Sequence, residues 1–227
     1  MSWNKVYEDS ALVVCYKPAG IPTQTKHIGR QDMVSLLKND RALHGEASYV
    51  GLVHRLDQPV EGLLVFGKTK EAAAHLSGQV QAGSLGKYYY ALGQGSGPEA
   101  SDREKIFLID YILADKKKNT AAVVPEGTRG AKKAVLEYRV IGSEGKKTCF
   151  DITLHSGRHH QIRLQMAHHG WPLLGDQKYG AGNEQGQQLA LCAYRIVFEH
   201  PVTGDTMDFS IQPQNPAFAP FCARPLQ

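Results

Sequence analysis

Short apolar runs with β-strand composition recur along this chain, and they constrain its fold more than any other feature. Residues 11–16 and 62–66 are continuously apolar, and a Lys-Pro-Ala-Gly turn stops the first run. An unbroken run of this length bounded by Gly or Pro is typical of a strand that is buried on both faces. The same criteria predict seven more strands, at residues 88–92, 106–113, 121–124, 135–141, 148–154, 189–198 and 206–211.

Helical patterns are fewer, and three are predicted. A short helix is expected over residues 31–37, and a second over 71–81, where Thr69 is a suitable N-cap and Gly83 a suitable end. A third is expected over 158–169, with an apolar stripe. Together with the strands, these helices predict one α+β domain over residues 1–227, with a mostly antiparallel mixed sheet flanked by helices.

Composition excludes several classes of protein. The 227 residues are 42% hydrophobic and 21% charged with a net charge of +4, an ordinary globular mixture. This excludes a disordered acidic tail, a collagen-like repeat and a small disulfide scaffold. The four cysteines form no C-x-x-C pair, and three lie in apolar runs that predict buried thiols. No apolar stretch reaches the ~18 residues of a membrane span, so we expect a cytoplasmic protein without a membrane partner.

Three ionisable side chains, His54, Arg55 and Asp57, stand together just before the apolar run at 62–66. Charges beside a buried strand usually have a partner or a chemical role, because burying an unpaired charge is unfavourable. A solvated turn at Asp57-Gln58-Pro59, with Asp57 bonded to its own backbone, explains the pattern about as well. The pattern alone leaves both interpretations open.

A second cluster of cationic side chains begins at Arg158. On a helix, His159 and His160 would each share a face with Arg163, and such a face suits a carboxylate or phosphate. A zinc site is disfavoured, because H-E-x-x-H is absent and no acidic residue lies within the His cluster before Asp176. A solvent-exposed helix rich in His is the remaining alternative.

The third candidate is a tyrosine-rich strand that follows Lys87. Alternation along a strand places Tyr89 on one face and its two tyrosine neighbours on the other. Most strand tyrosines only pack, but one that faces a cleft could stack on a base or exchange a proton. Lysine and arginine residues cluster at residues 116–118, 129–133 and 146–147. These clusters are predicted to lie at loop tips, where they could contact phosphate.

Taken together, these segments resemble the RluA-type family of RNA pseudouridine synthases. Residues 17–20 look like the family's K-P-x-G motif, and 54–57 followed by 62–65 look like H-R-L-D-x-x-T-S-G-L-L. Residues 87–91 match K-x-Y-x-A, and 157–176 match G-R-x-H-Q-[IL]-R…A-H-x-G-x-P-[IL]-x-G-D. The motifs occur in family order over most of the chain. Two segments depart: Pro-Val-Glu-Gly at 59–62 replaces x-T-S-G, and Leu-Cys-Ala at 191–193 replaces L-H-A.

The resemblance implies the pseudouridine synthase fold with a central active-site cleft, and a role for each matching residue. Asp57 would be the catalytic carboxylate, acting on ribose or base as a nucleophile or as a base at C2′. Arg163 would pair with Asp57 and keep it ionised, and Tyr89 would stack on the flipped uracil and take the C5 proton. Arg55 would fill the gap that the flipped nucleotide leaves. The remaining expected substrate-binding residues are His54, Lys87, Arg158 and His160.

The resemblance also implies the partners and bounds the alternatives. The expected substrate is structured RNA, either ribosomal or transfer RNA, and we expect a monomer that uses no metal or other cofactor. A catalytically silent RNA-binding module on the same fold would tolerate loss of Asp57, but Asp57, Tyr89 and Arg163 are all retained. A metal hydrolase built on the His cluster is the third hypothesis, and stoichiometric zinc would favour it.

Overall fold

The computed structural model describes residues 3–27, 29–95, 104–180 and 186–222. The strands are β1 (Asn4–Glu8), β2 (Leu12–Lys17), β3 (Gly51–Leu52), β4 (Glu61–Gly67), β5 (Gly86–Gln94), β6 (Ile106–Asp115), β7 (Thr120–Val124), β8 (Lys132–Glu144), β9 (Lys147–Leu154), β10 (Leu191–Glu199) and β11 (Thr206–Ser210). The helices are α1 (Met33–Leu43), α2 (Lys70–Ala82), α3 (Gln161–His168) and α4 (Ala219–Cys222), with a 3₁₀ turn at Pro216–Phe218.

The chain forms two compact units. Unit 1 comprises Met1–Gly86 and Ala193–Ile211, and unit 2 comprises Lys87–Cys192 and Gln212–Gln227. The single domain over residues 1–227 stays a prediction. No helix among the described residues is long and apolar enough to cross a membrane.

Unit 1 is built around two strands that are buried along their whole length. The neighbouring strands run in the order β1-β2-β4-β10, with β3 on β4 and β11 on β10. Strands β2 and β4 pair antiparallel and all their residues are buried, as the continuously apolar runs predict. Helix α2 contributes Leu76 to the core beside Leu63 and Val65. As predicted, the Thr69 hydroxyl caps this helix and Gly83 ends it in the left-handed conformation.

Unit 2 is an antiparallel sheet that carries α3. Its strands run in the order β5-β9-β8-β6-β7, and every neighbouring pair is antiparallel. Leu164 of α3 packs with Ile112, Ala121 and Ala134 of the sheet. The predicted fold class, α+β with a mostly antiparallel sheet and few helices, is therefore confirmed.

The predicted bounds of two helices are wrong. Helix α1 runs from Met33 to Leu43, and a reciprocal capping box between Asp32 and Ser35 fixes its first residue. Helix α3 begins at Gln161 rather than at residue 158. His160 has a φ of 53°, in the left-handed region, so the helix cannot continue backward through it. The predicted helical face that His159 and His160 share with Arg163 therefore does not exist.

The described cysteines match the buried thiols that their apolar runs predict. Cys15, Cys149 and Cys192 are free and buried. Burial raises the pKa of the Cys15 thiol far above its usual range. These residues therefore pack as small apolar side chains.

Candidate active site

Asp57 lies on the loop that enters β4, and hydrogen bonds hold this loop on both sides of it. On one side, the Thr23 hydroxyl donates to the Leu56 carbonyl at 2.9 Å and accepts from the Leu56 amide at 3.1 Å. On the other side, the Gln58 carbonyl accepts from the Gly20 amide at 2.8 Å. The Asp57 carbonyl itself accepts from the Val60 amide at 3.0 Å. The predicted turn is thus present, and it presents a half-buried carboxylate from a fixed backbone.

Lys17, at the end of β2, binds the same loop through the Gln58 carbonyl. Its side chain is fully buried, and Nζ donates to the carbonyls of Pro18, Ile21 and Gln58 at 3.0, 2.8 and 3.1 Å. Burial lowers the pKa of Lys17 to about 7, and the negative charges of Asp57 and Glu61 oppose that shift. Lys17 is therefore a buried amine that interacts electrostatically with Asp57 and Glu61.

Glu61, the residue that departs from the family pattern, is also buried. Its Oε2 accepts a hydrogen bond of 2.7 Å from the Tyr16 hydroxyl. The side chain is 1% exposed, so the carboxylate is part of the interior beneath the Asp57 loop. The carboxylate that replaces the family serine has a specific partner, and it contributes negative charge near Lys17.

The other predicted residues on this loop differ in their surroundings. His54 Nε2 accepts from the Val65 amide at 3.2 Å, which ties the loop to β4. Arg55 is exposed. Gly62, at the start of β4, has a φ of 134°, and an added Cβ would lie 2.4 Å from the Ala193 carbonyl oxygen. Only glycine fits there, which explains the glycine in this motif.

Arg163 lies in the first turn of α3 and binds a carboxylate within unit 2. Its Nε and Nη2 donate to the two Asp176 oxygens at 2.8 and 2.7 Å, and both side chains are buried. Burial alone would raise the pKa of Asp176, but the hydrogen bonds and charge of Arg163 outweigh it and hold that pKa below its usual range. The predicted pair between Arg163 and Asp57 stays a prediction.

Two further contacts fix the Arg163–Asp176 pair. Gly175 has a φ of 76°, and a Cβ there would lie 2.3 Å from the Gln188 carbonyl oxygen, so Asp176 follows a turn that requires glycine. The Arg163 guanidinium carbon lies 5.4 Å from the centre of the Tyr179 ring, a cation–π distance. The guanidinium is therefore held by a bidentate carboxylate and an aromatic ring together.

His160 is buried and is connected to the Arg163–Asp176 pair through Tyr179. Its Nδ1 lies 2.8 Å from the Tyr179 hydroxyl, which also accepts the Ala121 amide proton at 2.9 Å. The His160 ring stacks on His159 with centroids 3.8 Å apart. Tyr179 thus joins two predicted site residues, His160 and Arg163.

Lys87, Tyr89 and Arg158 are the remaining predicted residues. Tyr89, on β5, is buried, while Lys87 is half-buried and Arg158 exposed. Burial lowers the pKa of Lys87, and the positive charge of Arg158 lowers it further. A Cβ on Gly157 would lie 3.8 Å from Lys87 Nζ, so the loop before α3 runs beside this lysine. Two like charges side by side create positive potential that suits an anion.

Four residues of these networks were absent from the predicted site. Lys17 and Asp176 belong to the family motifs, but the motifs predict no site role for them. Glu61 is predicted only as a departure from the family pattern, and Tyr179 lies beyond the last motif. The pattern Gly-Asp-x-x-Tyr-Gly at 175–180 was the available signal for Tyr179. A motif read three residues further would have included the residue that contacts both His160 and Arg163.

Comparison with known proteins agrees with the family that the motifs resemble. The family model described as RNA pseudouridylate synthase matches residues 11–168. The chain belongs to this family.

Individual relatives agree. An uncharacterized RNA pseudouridine synthase, YhcT, of Bacillus subtilis is 32% identical over 88% of this chain and 65% of its own length. The ribosomal large subunit pseudouridine synthase D of Zymomonas mobilis is 33% identical over 91% of this chain and 68% of its own length. The chain thus spans about two thirds of the length of these curated relatives.

The fold is shared with a solved structure of lower sequence identity. Human RNA Pseudouridylate Synthase Domain Containing 4 superimposes with a TM-score of 0.75 over 92% of this chain and 88% of that chain, at 22% identity. This likeness supports the pseudouridine synthase fold that the motifs imply.

Proposed function

We propose that this protein is an RNA pseudouridine synthase that isomerises specific uridines, with Asp57 as the catalytic carboxylate. The observation that carries the proposal is the braced Asp57 loop in a chain that belongs to this family. A catalytic carboxylate must keep one position through the reaction, and hydrogen bonds on both sides of Asp57 serve that need.

The reaction sets the chemical demands on the site. The N1–C1′ bond of uridine breaks, the uracil turns, and a C5–C1′ bond forms. C5 then loses its proton and N1 gains one, so the atoms balance without an oxidant, reductant or energy source. Asp57 acts on the ribose or on the base, or abstracts a proton at C2′, and each route requires an ionised carboxylate.

We assign the other catalytic roles from the motifs that the residues occupy. Arg163 supplies the cation that keeps the Asp57 carboxylate ionised during the reaction. Tyr89 stacks on the uracil and takes the C5 proton. Arg55, which is exposed, fills the gap that the flipped nucleotide leaves.

We propose that Lys87 and Arg158 hold a phosphate of the RNA. The two side chains interact electrostatically, because the charge of Arg158 disfavours a second positive charge on Lys87. The negative charge of a bound phosphodiester would relieve this repulsion. The buried His160 and the braced His54 complete the proposed substrate-binding set, with His54 acting through the loop that it ties to β4.

We propose ribosomal or transfer RNA as the substrate, a monomeric enzyme and a cytoplasmic location. The relative from Zymomonas mobilis is named for the ribosomal large subunit, which favours ribosomal RNA between the two. Uridines in loops are the preferred targets, because the free energy needed to unstack a base is smallest when the base is unpaired.

The test is release of tritium from RNA that carries C5-tritiated uridine. Wild-type protein is expected to release tritium from ribosomal or transfer RNA, and Asp57→Asn to release none while it still binds RNA. Asp205→Asn is the matched control, because it makes the same change at an exposed position of the β10–β11 hairpin. Tritium release by Asp57→Asn at the wild-type rate would refute the assignment. RNA binding without release by wild-type protein on either RNA would instead favour the silent binding module.

A further inference from the structure

A second group of chemistry-bearing side chains lies at the far end of α3. Arg163 lies in the first turn of this helix, whereas His168 is its last residue and His169 its C-cap. Asp110 of β6 lies beside them. One ligand atom from each of the three side chains lies within 4.8 Å of the other two. No step of the proposed isomerisation uses these residues.

The distance between two of these groups suits a shared metal ion. His169 Nε2 lies 3.3 Å from Asp110 Oδ1 and 3.1 Å from Oδ2. In a tetrahedral zinc site with bonds of about 2.0–2.2 Å, two neighbouring ligand atoms are about 3.3–3.5 Å apart. The separation of His169 Nε2 and the Asp110 oxygens is therefore close to that of two ligand atoms in a zinc site.

The third ligand is available without breaking other contacts. Among the described ranges, His168 has no hydrogen-bond or ion-pair partner, and its side chain is exposed. Its ring lies nearly perpendicular to that of His169, with centroids 5.2 Å apart. One of its ring nitrogens already lies within 4.8 Å of the ligand atoms of His169 and Asp110.

Asp110 is oriented by a buried chain of amide side chains. Gln165, which is fully buried, donates from Nε2 to Asp110 Oδ2 at 2.7 Å. Gln161 in turn donates to Gln165 Oε1 at 3.0 Å. The first bond holds Oδ2 and leaves Oδ1 for a ligand. Metal-binding carboxylates are typically held by such an outer hydrogen bond.

We propose that Asp110, His168 and His169 bind one Zn²⁺ ion, with solvent at the fourth position. Two imidazoles and one carboxylate suit Zn²⁺ and neighbouring first-row divalent ions, whereas Mg²⁺ and Ca²⁺ prefer oxygen ligands alone. The ion ties the end of α3 to β6 and therefore stabilises unit 2. The ion takes no part in the proposed isomerisation.

The test is zinc binding by tag-free protein, measured by calorimetry, with Co²⁺ absorption as the report on coordination. The expected result is one Zn²⁺ per chain and Co²⁺ bands of a four-coordinate site. His168→Ala is expected to weaken Zn²⁺ binding at least about tenfold. This variant keeps its fold, because His168 is exposed and makes no polar contact. Asp110→Asn should weaken binding similarly. His27→Ala, another exposed histidine, is the matched control and should bind as wild type.

Three results would overturn the proposal. One is a Zn²⁺ dissociation constant weaker than about 1 mM for the wild-type protein. A second is binding that survives His168→Ala and Asp110→Asn. The third is binding that is lost in His159→Ala instead, which would place the ion on the stacked His159–His160 pair.

Discussion

Replacement of Asp176 by Asn tests how much the buried ion pair with Arg163 contributes to folding. The substitution keeps the size of the side chain and removes its negative charge. Both carboxylate oxygens accept from the guanidinium, and the two side chains are 0% and 5% exposed. The guanidinium would then stay buried without this counter-charge.

The magnitude follows from burial. Removing one partner of a buried ion pair typically lowers the free energy of unfolding by about 3–5 kcal/mol, because the other charge stays in the interior. The Arg195–Asp208 pair supplies the matched control. It is also bidentate, but its side chains are 39% and 45% exposed. An exposed pair contributes about 0–1 kcal/mol, so Asp208→Asn should change stability little.

The assay is urea unfolding of wild type, Asp176→Asn and Asp208→Asn, followed by circular dichroism. The folded state holds the pKa of Asp176 below its usual value, so its stabilising contribution is complete above the unfolded pKa of about 3.9 and is lost as the pH falls through the folded value. The deficit of Asp176→Asn should thus be largest at neutral pH and shrink below pH ~4. Equal losses in the two variants at pH 7 would refute the argument from burial.

Three further predictions concern Lys17, Thr69 and metal removal. Burial lowers the pKa of Lys17 to about 7, against about 10.5 in the unfolded chain. Raising the pH from 7 to 9 should therefore increase the free energy of unfolding of the wild type by about 2 kcal/mol more than that of Lys17→Met. Parallel pH profiles of the two proteins in denaturant unfolding would contradict this. Thr69→Ala removes the hydroxyl cap of α2 and should lower the free energy of unfolding by about 1 kcal/mol, whereas Thr69→Ser should keep the wild-type value; a loss in both variants would argue against the cap. Tritium release should survive excess chelator, and its abolition with recovery on added zinc would show that the isomerisation itself depends on a bound metal.

Much of the sheet could be predicted because its strands are locally apolar. The runs at 11–16 and 62–66 are β2 and β4, and both are buried throughout. Strand β1 could not be predicted in this way, since Asn4–Glu8 is mostly polar and forms by pairing with β2. The hydrophobic pattern predicts strands whose own side chains are buried. It does not predict a polar strand that forms by pairing with a neighbouring strand.

The start of α3 could not be predicted from periodicity. The apolar stripe of Ile162 and Met166 does not mark where the helix begins. The Gln161 side chain accepts the Arg158 amide at 3.0 Å and the Ser156 hydroxyl at 2.8 Å. This local hydrogen bonding, together with the left-handed His160, holds residues 156–160 outside the helix. Tertiary geometry therefore decides where the helix begins.

The candidate site residues were found from motifs, and their partners were not. Asp176 is the last residue of a motif. Nothing in the local sequence indicates that this carboxylate, thirteen positions beyond Arg163, would accept hydrogen bonds from Nε and Nη2 of the guanidinium. Lys17 is likewise part of a motif, and one of its three carbonyl contacts, with Gln58, depends on the approach of the Asp57 loop to β2. Motifs identify which side chains matter, and the folded chain defines how they are held.

The most direct test of the central claim is a map of pseudouridines in total RNA from cells that lack this gene. We expect at least one pseudouridine in ribosomal or transfer RNA to be missing, and to return with a wild-type copy but not with Asp57→Asn. An unchanged map, or restoration of the missing site by Asp57→Asn, would contradict the claim that this protein makes pseudouridine through Asp57.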